Sequence, residues 1–232
     1  MKNKIDKIYI IHAPDLKDRR ASLDVQLSKL NFDIKNVEWR YTYHRSSVPA
    51  DIKNKYYKSD RKTHDIKKAY VPGYRADLYG FLHLTDGYIA VALEHIFALE
   101  KIVQDRTSMA MVIEDDVIFC EDFSNKLVHY MNQLPLDWDI FYPGAACNQH
   151  LPQTDPNKNV YLHPKKLTRT ACCYILKLET VKKILKTIIP FTMPIDFELI
   201  YQHHINNLNV YWGEPGLTGQ GSETGVYKSL FR

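Results

Sequence analysis

The sequence predicts an α/β protein with a mixed, mostly parallel sheet flanked by helices. Apolar, β-branched runs alternate with segments of helical periodicity, and a strand, a helix and a strand come first. The first apolar run is continuous, as expected for a strand buried on both faces. The 45% hydrophobic and 25% charged residues are ordinary for globular proteins and exclude disordered and fibrous classes. We expect one domain over 1–232, since this length suits one sizeable core.

The first half of the chain starts with the run KIYIIH (7–12), which predicts the first strand. Leucines at helical spacing predict a helix over 15–30, and 37–44 predicts the second strand. Residues 45–80 are rich in lysine and tyrosine and have no clean period. We predict a basic insert there, with short helices. A solvated surface loop is the favoured interpretation, and stacking on sugars or bases is the alternative.

The second half contains the clearest helix, over 84–104, with Thr85 suited to its N-cap. A central strand is predicted over 108–113. Further strands are predicted over 137–145, 170–178 and 209–216, and helices over about 179–189 and 193–206. The glycine-rich tail 217–229 is predicted to be irregular.

Three consecutive acids, Glu114, Asp115 and Asp116, follow the central strand. In open parallel sheets, ligands bind outside the carboxyl ends of the strands, which is where this triplet falls. Clustered carboxylates there can hold Mg²⁺ or Mn²⁺, and one or two suffice when substrate phosphates complete the shell. A solvated turn is the alternative, because Asp is a common turn residue. The triplet alone leaves both interpretations open.

Two other pairs of residues are of types that often bind metals. Asp137 and Asp139 form a D-x-D pattern, but they precede their apolar strand, at its amino end, so we interpret them as structural. His203 and His204 are adjacent on a predicted helix. Since Mg²⁺ and Mn²⁺ prefer oxygen ligands, we interpret both histidines as helix-surface residues.

Several segments, taken in order, resemble glycosyltransferase family 25, the group of bacterial lipooligosaccharide glycosyltransferases and collagen galactosyltransferases. The opening strand and its arginine-containing turn, the helix over 84–102 and the acidic signature resemble those of the family. The co-linear order of the pieces makes the resemblance specific. The segments are IYIIHAPDLKDRR, LTDGYIAVALEHIFALEKI, MVIEDDVIF, WDIFYPGA, TACCYIL, PIDFEL and GLTGQGS.

The resemblance implies a GT-A type, Rossmann-like fold, a nucleotide-sugar donor (often UDP-galactose), Mn²⁺ or Mg²⁺, and inversion at the anomeric carbon. Asp116 would be the main metal ligand with Asp115, and Glu114 and Asp115 would contact the donor. An inverting transfer also needs a base for the acceptor hydroxyl. Asp196 is the candidate, with Glu198 behind it. A helix N-terminal cap explains Asp196 equally well.

Four further residues are expected at the donor site. Arg19, just after the first strand, is expected to approach the donor phosphates, with His12 beside it at the end of that strand. A solvated first turn is the alternative for Arg19. Gln220 and Ser222 lie in the glycine-rich family segment, which is expected to close over the donor. A loose C-terminus is the alternative.

The chain also departs from the family pattern. Its first strand ends Ile11-His12-Ala13 where the family usually has Asn-Leu, and Glu94 replaces a small polar residue beside His95. The insert has no family counterpart. These departures affect the identity of the donor and the acceptor rather than the fold.

Charge and hydropathy indicate the expected partners. The net charge of +4 is below that of dedicated nucleic-acid binders, so no nucleic-acid partner is expected. No apolar run reaches the roughly 20 residues of a membrane span, and the start of the chain lacks a signal-peptide core, so a cytoplasmic location is predicted. Lys182, Lys183 and Lys186 fall on one helix face, where they predict peripheral contact with the anionic inner face of a membrane. A solvated face is the commoner explanation.

The expected function is inverting, metal-dependent transfer of a sugar, with galactose the first candidate, from a UDP-sugar. The acceptor would be a glycan, a glycolipid such as lipooligosaccharide, or a hydroxylysine-type residue. The alternative is a non-catalytic relative that binds a sugar nucleotide or a glycan. The intact acidic triplet argues against that alternative.

Overall fold

The computed structural model describes residues 4–30, 36–44, 46–71, 83–144, 146 and 149–228. Within them the strands are β1 Lys7–Ile11, β2 Val37–Arg40, β3 Met109–Glu114, β4 Val117–Phe119, β5 Ile140–Tyr142, β6 Val160–Leu162, β7 Cys173–Lys177, β8 Val210–Gly213 and β9 Thr218–Gln220. The helices are α1 Lys17–Lys29, α2 Ala50–Tyr56, α3 Arg61–Lys68, α4 Asp86–Gln104, α5 Phe123–Gln133, α6 Leu178–Leu185, α7 Ile195–Ile205 and α8 Gly221–Thr224.

Seven strands form one mixed sheet in the order β2-β1-β3-β7-β5-β8-β6. Five of them run in the same direction, while β7 and β6 are antiparallel to their neighbours. The strand β3 lies third in this order, so the acidic triplet at its carboxyl end is away from both edges of the sheet. The prediction of a mixed, mostly parallel α/β sheet is confirmed.

Successive residues of the central strands pack against opposite layers of helices, as the two-residue period of a strand requires. Tyr9 and Val112 join one buried cluster, which contains α4, α6 and α7 residues. Ile10 and Met111 join the other, which contains α1 and α5 residues. Helices therefore cover both faces of the sheet, and their loops gather at the ends of its strands.

Several predicted boundaries shift, and some elements were missed. The second strand ends at Arg40 rather than at residue 44. The helix α5 and the three-residue strands β4 and β6 had no counterpart in the sequence interpretation. The tail predicted to be irregular contains β9, which pairs antiparallel with β4, and the short helix α8. That prediction was wrong for residues 218–224.

The predicted insert over 45–80 contains α2 and α3, and its residues 45 and 72–80 lie outside the described part of the chain. The ring of Tyr56, at the end of α2, packs edge-on against Phe97 of α4 at 5.3 Å between centroids. On α3, the buried Lys67 pairs with Glu198 of α7. Both helices of the insert are therefore anchored to the layer that contains α4 and α7. The single-domain prediction stays a prediction.

Candidate active site

The predicted donor-site residues meet in one pocket at the carboxyl ends of β1 and β3. Ile11 and Glu114, the last residues of these parallel strands, are register partners. Because parallel neighbours end at the same edge of the sheet, the residues that follow them converge there. The pocket is lined by Ile11, His12, Ala13, Leu16, Arg19, Tyr41, Tyr43, Ala90, Val91, Glu94, Glu114, Asp115, Asp116, Gln220 and Ser222.

Asp115 is the buried centre of an ion-pair network. Its Oδ1 accepts a hydrogen bond from Nη1 of Arg19 at 2.9 Å, and its Oδ2 lies 2.9 Å from Nδ1 of His12. The backbone N–H of Ala13 also donates to Oδ2, at 3.3 Å. Both oxygens are therefore committed to the end of β1 and the start of α1. This geometry gives Asp115 an organising role and does not present it as the metal ligand that the sequence predicted.

Asp116 is also buried, but, as far as the structure describes the chain, one of its carboxylate oxygens lacks the hydrogen bonds that both oxygens of Asp115 make. Its Oδ1 has no hydrogen-bond partner among the described residues. Nη1 of Arg19 lies 3.9 Å from its Oδ2. Burial raises the pKa of Asp116, against the opposing effects of hydrogen bonding to Ser222 and the charge of Arg19. A buried carboxylate oxygen without a partner is costly in the free protein and is available to a ligand.

Glu114 bridges the helix layer and the C-terminal segment. Its Oε1 lies 3.2 Å from Nε2 of His95 on α4, and its Oε2 accepts a hydrogen bond from Nε2 of Gln220 at 3.3 Å. Burial, followed by the charges of Asp116 and Asp115, raises the pKa of Glu114 to about 8. Glu114 therefore costs more to ionise here than in water.

The C-terminal segment, residues 217–228, is part of the pocket. The N–H of Gly221 donates to the backbone oxygen of Asp116 at 2.7 Å. Nη2 of Arg19 donates to the backbone oxygen of Lys228 at 2.9 Å, and its guanidinium lies 5.3 Å from the centroid of the Tyr227 ring. The solvated-turn alternative for Arg19 is therefore wrong, since its side chain is buried between Asp115 and this segment.

One wall of the pocket was missed by the sequence interpretation. Tyr41 and Tyr43 follow β2 and line the pocket, and Glu94 of α4 holds the backbone of Thr42 and Tyr43 in place. Its Oε1 accepts hydrogen bonds from the N–H groups of Thr42 at 2.6 Å and Tyr43 at 3.1 Å. The available signal was topological: β2 is parallel to β1, so the residues after it reach the same edge of the sheet.

Asp196 lies beside the cluster without lining the pocket. It is the second residue of α7, whose N-cap is Pro194 with no side-chain capping bond, so the cap alternative for Asp196 is not what the structure has. Burial, and then the charge of Glu114, raises the pKa of Asp196 to about 7; the His95 ring and the Ala171 N–H act in the opposite direction. Asp196 is therefore close enough to Glu114 for the two charges to interact.

Glu198, the second predicted catalytic residue, is placed elsewhere. It is fully buried, and both of its carboxylate oxygens accept from Nζ of Lys67 at 2.8 Å. The backbone N–H groups of Thr192 and Met193 donate to Oε1 as well, at 2.6 and 3.1 Å. The structure does not bring Glu198 to the pocket, and its contacts join the insert to the start of α7.

The structure agrees with the sequence interpretation of Asp139 and disagrees with that of His203. Asp139 lies at the amino end of β5, where its carboxylate accepts from the N–H of Asn209 at 2.9 Å, in agreement with a structural role. The interpretation of His203 as a surface residue was wrong. His203 is fully buried, with Tyr142 OH 3.1 Å from its Nε2 and the carbonyl oxygen of Lys166 2.8 Å from its Nδ1.

The residues present fit a divalent cation only in a limited way. Among the described residues, no group of three or more His, Cys, Asp or Glu side chains is arranged to hold a metal ion. Asp116 contributes one buried oxygen that has no partner in the part of the chain that the structure describes. Mg²⁺ and Mn²⁺ are often bound through one or two carboxylates together with substrate phosphates and water. The described residues are therefore compatible only with a cation that arrives with a diphosphate, and Asp116 is the residue that would hold it.

The sequence profile of glycosyltransferase family 25 (LPS biosynthesis protein) matches residues 5–199. The chain belongs to glycosyltransferase family 25. The matched region contains the acidic triplet, Arg19 and Asp196, and ends before Gln220 and Ser222. The C-terminal side of the pocket therefore lies beyond the part of this chain that the family match covers.

Curated family 25 relatives match parts of this chain. Procollagen galactosyltransferase 2 from Homo sapiens is 32% identical over 142 residues, covering 60% of this chain and 20% of that protein. A glycosyltransferase 25 family member from Anopheles gambiae is 24% identical over 210 residues, covering 88% of this chain and 33% of its own length. The chain thus spans between a fifth and a third of these two relatives.

A solved glycosyltransferase involved in the glycosylation of the major capsid of PBCV-1 aligns with 92% of this chain and 91% of its own. Its sequence identity of 11% and TM-score of 0.44 are too low to add to the family 25 assignment. In the part of the chain that the structure describes, no helix is long and apolar enough to cross a membrane.

Proposed function

We propose that this chain transfers a sugar, with galactose the first candidate, from a UDP-sugar to an acceptor hydroxyl with inversion at the anomeric carbon. The observation that carries the proposal is the buried Oδ1 of Asp116, which has no partner among the described residues and lies in a pocket at the carboxyl ends of β1 and β3. Family 25 membership supports glycosyl transfer as the type of reaction. Sugar nucleotides bind at this edge of open α/β sheets as other nucleotides do.

Donor binding is assigned to the residues around the triplet. Arg19 pairs with Asp115 and lies 3.9 Å from Asp116, so its positive charge would face the donor phosphates from beside the triplet. Bound to Asp116 and the donor diphosphate, Mn²⁺ or Mg²⁺ would neutralise the developing negative charge of the leaving diphosphate. Gln220 and Ser222 would contact the donor from the C-terminal side, and His12 from the end of β1.

Asp196 is assigned as the base that accepts the proton of the acceptor hydroxyl. In an inverting transfer the acceptor oxygen forms a bond to the anomeric carbon as the bond to the diphosphate oxygen breaks. The hydroxyl proton passes to a base on the acceptor side. With its pKa at about 7, Asp196 is poised to accept that proton near neutral pH. Glu198 is not assigned a chemical step, because its oxygens already hold Lys67 and two backbone N–H groups.

Two acceptor classes are proposed from the comparisons. The family description names LPS biosynthesis, which suggests a glycan or glycolipid acceptor. The name procollagen galactosyltransferase suggests a hydroxylysine-type acceptor. Peripheral membrane contact would suit a glycolipid, although Lys182 and Lys183 already pair with Glu179 and Asp139. We propose no nucleic-acid partner.

A transfer assay tests this function. The protein is incubated with each of several UDP-sugars, with Mn²⁺ or with EDTA, and with either a lipooligosaccharide core or a hydroxylysine peptide. Product formation that needs Mn²⁺ and one UDP-sugar is the expected result, and NMR of the product linkage reports inversion or retention. UDP binding without turnover of any donor would overturn the enzymatic proposal in favour of a non-catalytic sugar-nucleotide-binding relative.

A further inference from the structure

His95 lies behind the acidic triplet, fully buried in α4. Its Nε2 is 3.2 Å from Oε1 of Glu114, and its Nδ1 is 2.9 Å from the hydroxyl of Tyr174 on β7. Burial lowers the pKa of His95 to about 4, so the ring is neutral near pH 7. A neutral imidazole has one N–H, and the hydrogen bonds decide which nitrogen carries it.

The hydroxyl of Tyr174 decides the position of this proton. Tyr174 is fully buried, and within the described ranges its hydroxyl has no hydrogen-bond partner other than His95. A buried hydroxyl donates its proton wherever an acceptor is present. Nδ1 of His95 therefore accepts, and the ring proton lies on Nε2, directed at Oε1 of Glu114, which accepts it whether Glu114 is ionised or carries its own proton on Oε2.

We propose that Tyr174 and His95 are positioning residues that fix the orientation of Glu114 in the donor pocket. This inference rests on the proposed function, because it assigns Glu114 to the donor site. The bond from Nε2 of His95 occupies one carboxylate oxygen and leaves the other for Gln220 of the C-terminal segment. A chain of directed hydrogen bonds thus runs from β7, through α4, to the segment that faces the donor.

A second tyrosine–histidine pair provides an internal control. Tyr142 and His203 are fully buried, and the hydroxyl of Tyr142 is 3.1 Å from Nε2 of His203. Nδ1 of His203 lies 2.8 Å from the carbonyl oxygen of Lys166, which can only accept, so the proton of His203 lies on Nδ1. The two histidines are expected to be opposite tautomers, and neither His203 nor Tyr142 lines the donor pocket.

The first arm of the test is ¹⁵N NMR of the histidine rings in the ligand-free protein at neutral pH, with His95 assigned from the spectrum of His95→Gln. The expected result is a proton on Nε2 of His95 and on Nδ1 of His203. In Tyr174→Phe the shift of Nδ1 of His95 should move, because this nitrogen loses the hydroxyl that donates to it. In Tyr142→Phe the His95 shifts should stay as in the wild type. A proton on Nδ1 of His95 in the wild type would overturn the inference.

The second arm is donor kinetics. Loss of a hydrogen-bond partner that orients a metal ligand commonly costs about 10–100-fold in affinity or activity. We expect an effect of similar size when Glu114 loses the partner that orients it. Tyr174→Phe should therefore lower kcat/KM for the donor by about tenfold or more, while Tyr142→Phe, which loses the same kind of bond, should leave it unchanged. Equal kinetics in the two variants would overturn the positioning role.

The experiments distinguish a failure of the proposed sugar transfer from a failure of the positioning role of Tyr174 and His95. If the wild type transfers no sugar, the proposed function fails, and the NMR arm still tests the orientation of Glu114. The positioning role is then supported by a changed Nδ1 shift of His95 in Tyr174→Phe together with weaker UDP binding. It is overturned if UDP binds both tyrosine variants as it binds the wild type.

Discussion

Glu114, Asp115 and Asp116 are adjacent in sequence and differ in what balances their charges. Asp115 is bound by Arg19 and His12. Asp116 keeps one buried oxygen without a described partner, and Glu114 sits between His95 and Gln220. Such a cluster is unfavourable in the free protein, because buried carboxylates that lack a cation resist ionisation. An electrostatic cost of this kind is expected at a site where a bound ligand supplies the missing positive charge.

The pKa of Glu114 leads to a prediction about stability. Because its pKa is raised to about 8 in the folded protein, Glu114 keeps a proton that the unfolded chain has lost above about pH 4.5. This stabilising contribution is present at low pH and is lost as the pH rises through about 8. Glu114→Gln should therefore gain about 1–3 kcal/mol relative to the wild type between pH 5 and pH 8.5.

Urea unfolding of the ligand-free protein at the two pH values measures this change. The control is Glu121→Gln, which removes an exposed carboxylate and should show no such pH dependence. A constant difference between Glu114→Gln and the wild type across this range would contradict the predicted environment of Glu114.

Asp196 leads to a prediction about rate. A base with a pKa of about 7 must be ionised to work, so kcat/KM should rise with pH below about 7 and level off above it. Asp196→Asn should lower kcat by about 10²–10⁴-fold, the usual contribution of a general base. The measurement is transfer rate against pH, with the exposed Asp24→Asn as the control. An Asp196→Asn enzyme with an unchanged rate and pH profile would remove Asp196 from the mechanism.

The sequence predicted individual site residues where they follow the end of a predicted strand or lie in a recognisable motif. The donor-site residues follow the ends of β1 and β3 or lie in the glycine-rich tail, and the structure brings them into one pocket. Glu198 was not predictable in the same way. Its partner Lys67 is 131 positions earlier in the chain, within a segment that has no periodic pattern. Sequence spacing carries no information about such a pair.

At the scale of elements, the pair between Lys67 and Glu198 anchors α3 to α7. Removing one partner of a buried ion pair typically costs about 3–5 kcal/mol, because the other charge is left buried. Glu198→Gln should therefore destabilise the fold by about that amount. Arg61→Ala, which breaks the exposed pair with Asp65, should cost less than about 1 kcal/mol.

Chemical denaturation of both variants gives these values, and kcat is measured at a temperature where each is fully folded. An unchanged kcat in Glu198→Gln would agree with an anchoring role. A fall of about 100-fold or more in kcat, with stability unchanged, would restore the catalytic assignment that the sequence suggested.

The C-terminal segment allows a matched pair of glycine substitutions. A Cβ at Gly221 would lie 2.5 Å from Cδ2 of Tyr227 and 2.9 Å from the backbone oxygen of Asp116, so the segment would have to move away from the triplet. A Cβ at Gly219 would meet nothing within 4 Å. Gly221→Ala should therefore weaken UDP binding by about tenfold, while Gly219→Ala should leave it unchanged. Calorimetric titration with UDP measures both, and equal affinities would show that this segment does not shape the donor site.

The elements that were predicted and those that were missed differ in what stabilises them. The helix α4 and the strands β1 and β3 carry long apolar patterns that identify them locally. The strands β4 and β9 are three residues each and depend on pairing with each other across about 100 positions, which no local pattern records. The helix α5 is different: its buried Phe123, Leu127, Tyr130 and Met131 recur at helical spacing, so the signal was present in the sequence.

At the scale of the whole molecule, the sheet and its two helix layers collect the ends of β1, β2 and β3 at one edge, where the pocket lies. The chain covers only part of the length of its curated relatives, so the pocket, rather than the full architecture of those proteins, is the basis of the proposed activity. We propose that the acidic triplet is a metal-dependent site for a nucleoside diphosphate.

The most direct test is thermal unfolding of the wild type and of Asp116→Asn with UDP, with and without Mn²⁺, and with the exposed Asp24→Asn as a control. At about 100 times the dissociation constant, UDP should stabilise the wild type by roughly 2.7 kcal/mol. We predict that stabilisation by UDP requires Mn²⁺ in the wild type and in Asp24→Asn, and is lost in Asp116→Asn. Stabilisation of Asp116→Asn equal to that of the wild type, or no stabilisation of the wild type by UDP with Mn²⁺, would contradict the claim.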